Sequence, residues 1–519
     1  MNAQLHDRRW LWWGAFFIAL LAIAAHWPGV YGQFVEWDDS SHVTKNPAIR
    51  ALTPHNLRVM FTEPTAKLYI PLTCISFAVD YQIWGQDPFG YHFTNLLLHL
   101  ANTLLVLVLV YRILRERCQT AAPVAVLTAA LFGVHPMRVE SVAWVTERKD
   151  VLFAFFFLLA LLAYWPWMIQ HKRTAYWWSF LLFIASALSK STAVTFPLVL
   201  ILFDWFLARR RALSEKIPFL LVSLIVGAAT FVAQASGKGE TVTGPEMIPI
   251  WARIGLVGYC SLFYMGKFLW PFHLTAIYPT FEEMDWMPLT AVAWLAGFAA
   301  VTAVVFALRK KTSILLPCWL FYLATLSPTI GIVPVGVHVV AERFSYVPLL
   351  GLAVPVCVGL VTLARRGARH GRVAEFGIYG CVGAWLVWLG ALTVERSGVW
   401  ANTETLLQNV LQEHPQSYPA LVNLTVYYTG QKRLDEAIAM GQRAVEVAPN
   451  GIVGRKNLAM ALIDAGRYRD AVVTLRPAVE HGIDDPAVWR ALYDCFTALG
   501  DEKNAQVAQQ RLRRSTGNF

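Results

Sequence analysis

Long apolar runs, separated by short clusters of lysine and arginine, fill the first 395 residues of this 519-residue chain. A helix needs about 20 mostly apolar residues to cross the hydrocarbon core of a bilayer, and a soluble core of this size would not need such runs. The pattern therefore predicts an all-α, polytopic membrane helical bundle. About eleven spans are predicted, near residues 10–27, 91–111, 121–142, 151–169, 175–189, 192–208, 217–235, 288–308, 313–333, 345–364 and 374–395.

The basic clusters between the runs predict which side of the membrane each loop faces, because short loops rich in Lys and Arg stay in the cytoplasm. Eighteen Lys and Arg form six such clusters, at residues 8–9, 112–117, 172–173, 209–216, 309–311 and 365–372. The remaining loops and the tail after residue 395 are therefore predicted to face the periplasm of a bacterium or the lumen of the endoplasmic reticulum. The net charge of +10 is spread over these membrane anchors, so a nucleic-acid partner is excluded.

Two apolar runs need separate interpretation. If residues 251–270 crossed the membrane, the basic cluster at 309–311 would lie outside, so they are predicted to form an interfacial helix within the outer loop 236–287. Residues 10–27 end in small residues that resemble a signal-peptide cleavage site, but the run is long and an uncleaved first span is predicted. The seven Cys show no spacing typical of a disulfide framework or a metal site.

The tail repeats with a period of about 34 residues over 417–518. The turn glycines Gly430, Gly466 and Gly500 mark the repeat, and small residues at fixed offsets allow the two helices of each unit to pack closely. This is the tetratricopeptide signature, and three units suffice for a stacked superhelix. Such a superhelix favours a peptide-binding groove, with a structural cap or a dimerisation arm as the alternative.

The predicted domains are therefore a transmembrane catalytic domain over residues 1–395 and an outward tetratricopeptide domain over 396–519. Residues 404–414 are predicted to form half of an additional capping unit. Membrane lipids surround the first domain, and an exported polypeptide is the expected partner of the second.

The first outer loop, residues 28–90, opens with three acids, Glu36, Asp38 and Asp39. A carboxylate beside the membrane surface can take a proton from an acceptor hydroxyl, so Asp38 and Asp39 are the candidate catalytic residues. Glu36 is a candidate for substrate binding, and Glu36 with Asp38 is the alternative site for a divalent cation. Capping of a helix that starts near Ser41, by Asp39 or Ser40, is the structural alternative.

The next span carries four polar residues on one helical stripe, His92, Asn95, His99 and Asn102, at spacings of 3, 4 and 3. A polar stripe in a membrane helix faces the bundle interior or a wet cavity. His92 lies at the outer end and is a candidate for substrate binding. Hydrogen bonding between helices is the alternative for the other three residues.

A charged stretch, residues 135–150, runs from the end of the third span to the start of the fourth. His135, Glu140, Arg148 and Asp150 are candidate substrate-binding residues because charges between two spans must line a polar cavity or an interface. Arg148 and Lys149 depart from the positive-inside trend, which indicates a bound anion such as a lipid phosphate. Salt bridges within the stretch are the alternative.

Two more segments bring cations to the same face. Lys190 lies in the turn between two spans, and Arg343 and Tyr346 are spaced to share a face before the tenth span. Acids that activate an acceptor, together with cations that neutralise a phosphate leaving group, suit transfer of a group from a lipid-phosphate donor. The sequence contains no phosphate-binding loop, dinucleotide fingerprint, serine-triad elbow or zinc motif.

Together these residues resemble the transmembrane and tetratricopeptide-repeat O-mannosyltransferases, and more widely the GT-C glycosyltransferases. The resemblance is carried by residues 37–39, 91–99, 135–140, 148–150, 189–190 and 342–348, together with the repeats. It implies a GT-C-like membrane domain, a polyprenyl-phosphate sugar donor (mannose in the best-known members) and Ser or Thr of an exported protein as acceptor.

The resemblance also implies roles for particular residues. An acid of the first outer loop is the base, which falls on Asp38 or Asp39, and the cations near the lipid phosphate fall on Arg148, Lys190 or Arg343. Metal use stays open, since metal-independent and cation-using relatives both exist. Two alternatives remain for the function: the same chemistry on a lipid or glycan acceptor, and a membrane scaffold without enzymatic activity.

Overall fold

The computed structural model describes residues 2–235, 248–281, 283–284, 286–331, 338–480, 482 and 484–515, without the side chains of residues 2–10, 235 and 370. Within these residues every regular element is a helix, apart from one isolated bridge between Thr65 and Leu68. The chain forms two compact units, residues 1–274 with 278–401, and residues 275–277 with 402–519. The all-α prediction is confirmed.

The first unit contains fifteen of the described α-helices. They are α1 (Asn2–His26), α2 (Pro54–Thr62), α3 (Pro71–Trp84), α4 (Pro88–Leu114), α5 (Ala121–Val134), α6 (Val139–Ala143), α7 (Arg148–Gln170), α8 (Arg173–Ser189), α9 (Phe196–Phe203), α10 (Ile217–Ala235), α11 (Ile250–Leu269), α12 (Pro288–Leu308), α13 (Leu315–Leu326), α14 (Leu350–Gly367) and α15 (Arg372–Val399). The domain boundary predicted between residues 395 and 396 therefore lies inside α15.

In the described part of the chain, eight helical segments are long and apolar enough to cross a membrane. They are Leu11–Tyr31, Pro88–Leu114, Val145–Gln170, Ser191–Ala208, Leu213–Gln234, Pro288–Leu308, Leu350–Gly367 and Arg372–Val399. A bent pair of helices makes a ninth candidate, where eleven spans were predicted. The other two predicted spans coincide with α8, of 17 residues, and α13, of 12 residues, which are shorter than a full crossing.

The third predicted span is not continuous, because it bends by 61° between Val134 and Pro136. His135 has extended backbone at φ −74° and ψ 131°, as expected of a residue that precedes proline. The chain then continues through short helical turns to Glu147. The local sequence thus directs the charged stretch out of the helical axis, where it meets other segments of the unit.

Side-chain hydroxyl groups connect neighbouring helices of this unit. Ser179 and Ser186 of α8 donate to the carbonyl groups of Ala160 and Phe153 on α7, each at 2.9 Å. Thr393 of α15 donates to the carbonyl of Val134 at 2.6 Å. Such bonds hold apolar helices together where lipid provides little hydrophobic drive for association.

The residues predicted to form an interfacial helix, 251–270, form α11, which is not among the candidate spans of the described residues. The latter half of the first outer loop also forms a helix, α3. Residues 236–247, 282 and 285 of the predicted outer loop 236–287 lie outside the described residues.

A buried ionic group closes the end of the unit that carries the basic loops, and we call its five residues the clasp: Tyr164, Asp204, Arg210, Glu215 and Lys216. Asp204 pairs with Lys216 and with Nε of Arg210, at 3.1 Å for the latter, and accepts a hydrogen bond from the Tyr164 hydroxyl at 3.2 Å. Arg210 also pairs with Glu215. The clasp connects α7 to the segment between α9 and α10.

The second unit consists of a leading helix and three helix pairs. The helices are α16 (Thr403–Glu413), α17 (Tyr418–Gly430), α18 (Leu434–Val447), α19 (Ile452–Asp464), α20 (Tyr468–Glu480), α21 (Pro486–Ala498) and α22 (Glu502–Ser515). The repeat architecture and the leading half-unit are thus as predicted.

The turn of the first repeat differs from the prediction. Left-handed backbone occurs at Lys432, Gly466 and Gly500, which lie 34 residues apart, with φ of 60°, 72° and 71°. Gly430 is instead the last residue of α17. The repeat therefore keeps a constant period, and its first turn uses a lysine where the next two use the conformational freedom of glycine.

Candidate active site

The two adjacent aspartates of the first loop have different environments. The carboxylate of Asp39 is fully buried and accepts hydrogen bonds from the backbone of Val35 at 2.8 Å, the backbone of Thr146 at 3.0 Å, and the Thr146 hydroxyl. Asp38 is half-buried, and its carboxylate has no hydrogen-bond or ion-pair partner among the described residues. Of the two predicted catalytic residues, only Asp38 is accessible to a substrate.

Asp39 connects two loops. Burial raises its pKa from 3.8 to about 6, although the hydrogen bonds from Thr146 and Val35 act in the opposite direction. The Asp39 side chain makes no capping bond to the helical turn that follows it, so Asp39 does not act as a cap. Asp39 therefore fixes the first loop against the stretch before α7.

A buried group of alternating charges lies at this end of the unit. We call Glu140, Glu147, Lys149, Asp150, Lys190 and Arg343 the charge cluster. Glu147 is its centre, pairing with Lys149 at 2.9 Å, with Lys190 at 3.4 Å and with Nε of Arg343 at 3.4 Å. Four residues predicted from sequence, Glu140, Asp150, Lys190 and Arg343, are thus brought together here.

The remaining pairs complete the charge cluster. Arg343 binds Glu140 through its guanidinium, and its backbone nitrogen donates to the same carboxylate at 2.8 Å. Lys190 pairs with Asp150, which also accepts from the Ser141 hydroxyl at 3.1 Å. Formal charges balance within the cluster, with three cations and three carboxylates.

The cations form the more accessible side of the charge cluster. Lys190 and Arg343 are 9% and 8% exposed, whereas Glu140, Glu147 and Asp150 are at most 1% exposed. An anion that approaches from solvent or from the membrane surface would therefore meet Lys190 and Arg343 first.

Arg148 lies apart from the charge cluster. Its guanidinium pairs with Asp80 of α3 at 2.6 Å, donates to the carbonyl of Tyr91 at 2.8 Å, and binds the side-chain oxygen of Asn95. Arg148 is fully buried with these partners, so its geometry is that of a connection between α3, α4 and α7. The predicted contact with a lipid phosphate has no support in this arrangement.

The sequence groups Lys149 with Arg148 as cations that depart from the positive-inside trend, and only Lys149 of the two belongs to the charge cluster. Successive residues on a helix point about 100° apart, so Arg148 and Lys149 at the start of α7 face different surroundings. The Lys149 ammonium reaches back to the carbonyl of Thr146 at 3.4 Å, on the side of the charge cluster.

Three other predicted substrate-binding residues are part of the buried interior. The Nδ1 atom of His135 accepts from the backbone of Met137 at 3.3 Å, and its Nε2 atom contacts the carbonyl of Phe268 at 3.0 Å. His92 packs against Gly32, where an added methyl group would lie 3.3 Å from Nε2. Tyr346 is 1% exposed.

The polar stripe of α4 makes hydrogen bonds between helices, which was the structural alternative. The Tyr346 hydroxyl bonds to Nδ1 of His99 at 2.7 Å and to Asn102 at 3.2 Å. Asn102 also donates to the carbonyl of Val151 at 2.8 Å, and Asn95 donates to that of Trp144 at 3.1 Å.

The sequence analysis also assigned no role to Glu342, a buried acid beside the charge cluster. One oxygen of Glu342 accepts from the Tyr278 hydroxyl and from Arg396, each at 3.2 Å, and the other oxygen has no partner among the described residues. Burial raises the pKa of Glu342 from 4.5 to about 7, against the opposing effect of Arg396. Its adjacency to Arg343 in sequence was the available signal.

Three stacked indoles connect the acidic loop to the charge cluster. Trp37 stacks on Trp144 with ring centroids 5.0 Å apart, and Trp144 stacks on Trp400 at 5.4 Å. The Lys149 ammonium and the Arg343 guanidinium lie 5.6 Å and 5.5 Å from the Trp144 ring centroid. Asp38 therefore directly follows Trp37, the first ring of the stack, and the middle ring, Trp144, lies beside Lys149 and Arg343.

In the described part of the chain, no three His, Cys, Asp or Glu side chains are grouped as metal ligands. Glu36 is exposed and Asp38 half-buried, and no third ligand accompanies them there. The alternative use of this pair as a cation site therefore gains no geometric support from the described residues.

The fold and these groups define a class: an integral membrane protein with a buried ionic site and a tetratricopeptide unit. Residues 428–495 match the family model for the tetratricopeptide repeat. Over 508 residues the chain is 23% identical to protein O-mannosyl-transferase TMTC3 of Mus musculus, covering 88% of this chain and 53% of the relative.

A second relative matches a shorter region at higher identity. Protein O-mannosyl-transferase TMTC4 of Homo sapiens is 32% identical over 169 residues, which are 29% of this chain and 23% of that protein. The chain spans about half the length of the relatives that match most of it, such as TMTC3. The predicted resemblance to the transmembrane and tetratricopeptide-repeat O-mannosyltransferases is confirmed.

Among solved structures, the crystal structure of ArnT from Cupriavidus metallidurans bound to undecaprenyl phosphate aligns with 97% of this chain and 78% of that chain. Sequence identity is 13% and the TM-score is 0.37.

Proposed function

We propose that this chain is a membrane glycosyltransferase that moves a sugar, mannose, from a polyprenyl-phosphate donor to Ser or Thr of an exported protein held by the repeats. The carrying observation is the half-buried carboxylate of Asp38, which has no partner among the described residues and lies near a buried charge cluster whose accessible side is cationic. Similarity to proteins named as O-mannosyl-transferases, over 88% of the chain in one case, supports the choice of sugar and reaction.

Asp38 is the base in this proposal. It accepts the proton of the acceptor hydroxyl while that oxygen forms a bond to the anomeric carbon of the sugar. The bond from the anomeric carbon to the phosphate oxygen breaks, and polyprenyl phosphate leaves with the electron pair, so the sugar configuration inverts. Asp39 takes no part in proton transfer, because its three hydrogen bonds keep it buried.

Lys190 and Arg343 are the residues proposed to meet the phosphate. Preorganised cations that face the developing charge of a leaving group lower the barrier without reorganisation in the transition state. Both residues already share carboxylate partners within the charge cluster, so a phosphate can be bound by partner exchange with little movement. Arg148 is excluded from this role by its pairing with Asp80.

The site is proposed to lie on the periplasmic or lumenal side of a bacterial inner membrane or the endoplasmic reticulum. The segments of the site are the loops without basic clusters, whereas the basic segment 112–117 lies at the clasp end, where Arg117 donates to the carbonyl of Leu207. Trp400 lies in the aromatic stack, so the chain leaves the first unit at the site end and continues into the repeats.

The test is transfer by purified protein in detergent, with radiolabelled polyprenyl-phosphate mannose and a pool of exported proteins. We expect label on Ser or Thr, and a loss of about 1,000-fold in Asp38→Asn, within the range for removal of a general base. Glu63→Gln is the matched control, since Glu63 is an exposed acid of the same loop. It should retain full activity.

Each outcome has a defined meaning. Full activity in Asp38→Asn, with both variants folded to the same melting temperature, would remove Asp38 as the base. Label that enters lipid in place of protein would keep the chemistry and change the acceptor. No transfer from any lipid-linked sugar would favour the scaffold interpretation.

A further inference from the structure

The aromatic stack reaches from the acidic loop to the end of the last span. The planes of Trp37 and Trp144 are inclined by 23°, and those of Trp144 and Trp400 by 26°, so both contacts are stacked. Trp144 and Trp400 are each 1% exposed, whereas Trp37 is half-buried. Aromatic pairs of this kind contribute about 0.5 to 1.5 kcal/mol beyond the area that they bury.

Trp37, at one end of the stack, belongs to the first loop, and the Trp400 end is joined to the same loop through the backbone. The nitrogen of Gln33 donates to the carbonyl of Ala401 at 2.8 Å. A methyl group on Gly32 would lie 3.3 Å from the carbonyl oxygen of Trp400, which shows how closely the two segments approach. The end of α15 and the start of the acidic loop are therefore held together beside the rings.

Asp38 depends on its neighbours for its orientation, because its carboxylate has no partner among the described residues. Asp39, on one side, is fixed by Thr146 and Val35. Trp37, on the other side, is fixed by its stacking on Trp144. Trp144 is in turn held between Trp37 and Trp400, so removal of Trp400 takes away the support behind the middle ring.

From this arrangement we infer that Trp400, through Trp144 and Trp37, is a positioning residue for the Asp38 carboxylate. The inference rests on the proposed function, in which Asp38 is the base. Trp400 contacts neither donor nor acceptor in this account, so its loss should slow the chemical step and leave substrate binding unchanged. A displacement of a reacting group by about 1 Å can cost about 100-fold in rate.

The experiment measures kcat and KM for the donor and for an acceptor peptide with the full chain in detergent. Trp400→Leu should lower kcat by about tenfold or more with both KM values within about twofold, and Trp400→Phe, which keeps an aromatic contact, should recover most of the rate. Trp385→Leu in α15, the helix that ends just before Trp400, is the matched control, and its kcat should stay within about twofold of the wild type.

Coupling is tested at the accessible end of the stack, where a variant keeps the buried rings. Trp37→Leu should lower kcat as much as Trp400→Leu, and the double variant should be no slower than Trp37→Leu alone, because both act through one carboxylate. Additive losses, or an unchanged kcat in Trp37→Leu, would overturn the inference even if Trp400→Leu failed to fold.

Failure of the inference and failure of the proposed function give different results. If Asp38→Asn is inactive and Trp400→Leu behaves like Trp385→Leu, the base stands and the positioning role falls. If Asp38→Asn keeps its activity, the proposed base falls whatever the tryptophan variants do.

Discussion

The transmembrane unit buries ionic groups at both ends, and the two groups differ in how they are built. The clasp consists of residues within 164–216, and its cations Arg210 and Lys216 pair with Asp204 and Glu215. The charge cluster draws on segments as distant as Glu140 and Arg343, and beside it Asp38 and one oxygen of Glu342 have no partner among the described residues. Burial of charge is thus common to both ends, and the incomplete pairing distinguishes the candidate site.

Matched lysine substitutions give the largest contrast between the two ends. Lys190→Gln should lower kcat/KM by about 100-fold, the scale for loss of one group that stabilises a leaving anion. Lys216→Gln should leave Asp204 with less compensation and destabilise the protein by about 3 to 5 kcal/mol, with kcat/KM of the folded fraction unchanged. Activity per folded molecule and thermal unfolding in detergent measure the two effects separately.

The comparison would break if the lysines behaved alike. A similar fall in kcat/KM for both would mean that the clasp also supports turnover. A purely structural loss in both would mean that Lys190 serves only to neutralise Asp150, with which it pairs. Lys503→Gln, at an exposed position of the repeats, controls for loss of a positive charge in general.

Arg148 tests whether a buried cation at the site end can be structural. Arg148→Met should destabilise the protein by about 3 kcal/mol, because the carboxylate of Asp80 is left buried without its partner. Arg148→Met with Asp80→Asn should recover most of that loss and keep normal kcat/KM, since no isolated charge remains. A stable double variant without activity would return Arg148 to the phosphate-binding role predicted from sequence.

Much of the architecture follows from local sequence. The apolar runs and the repeat period depend on residues close in the chain, so helices formed at all eleven predicted spans and in each repeat. The bend at His135 was equally local, since proline follows it, yet hydropathy averaged over a window conceals a break of one residue. Window averaging also concealed how short the helices α8 and α13 are.

The candidate site was predictable in its membership more than in its roles. Charges between spans must meet other polar groups, which brought Glu140, Lys190 and Arg343 into the prediction. Whether a side chain is a ligand-facing group or an internal connection depends on partners far along the chain. Asp39 bonds to Thr146, 107 residues away, and no spacing in the sequence reveals that contact.

The last prediction concerns Asp39, whose folded-state pKa of about 6 lies above the value of 3.8 for a free side chain. The folded protein therefore binds the proton more tightly than the unfolded chain, and its stability should fall as pH rises from about 4 to about 6. The full difference is about 3 kcal/mol, at about 1.4 kcal/mol for each pKa unit.

Asp39→Asn removes this titration while its amide oxygen can still accept from Thr146. We expect the difference in unfolding free energy between the wild type and Asp39→Asn to change across that pH window and to be constant above it. Thermal or denaturant unfolding in detergent at several pH values measures the difference, with Glu63→Gln as the exposed-acid control. Parallel curves for the wild type and Asp39→Asn would show that Asp39 is ionised without penalty, and the accessible and buried aspartates would then no longer differ in the way proposed.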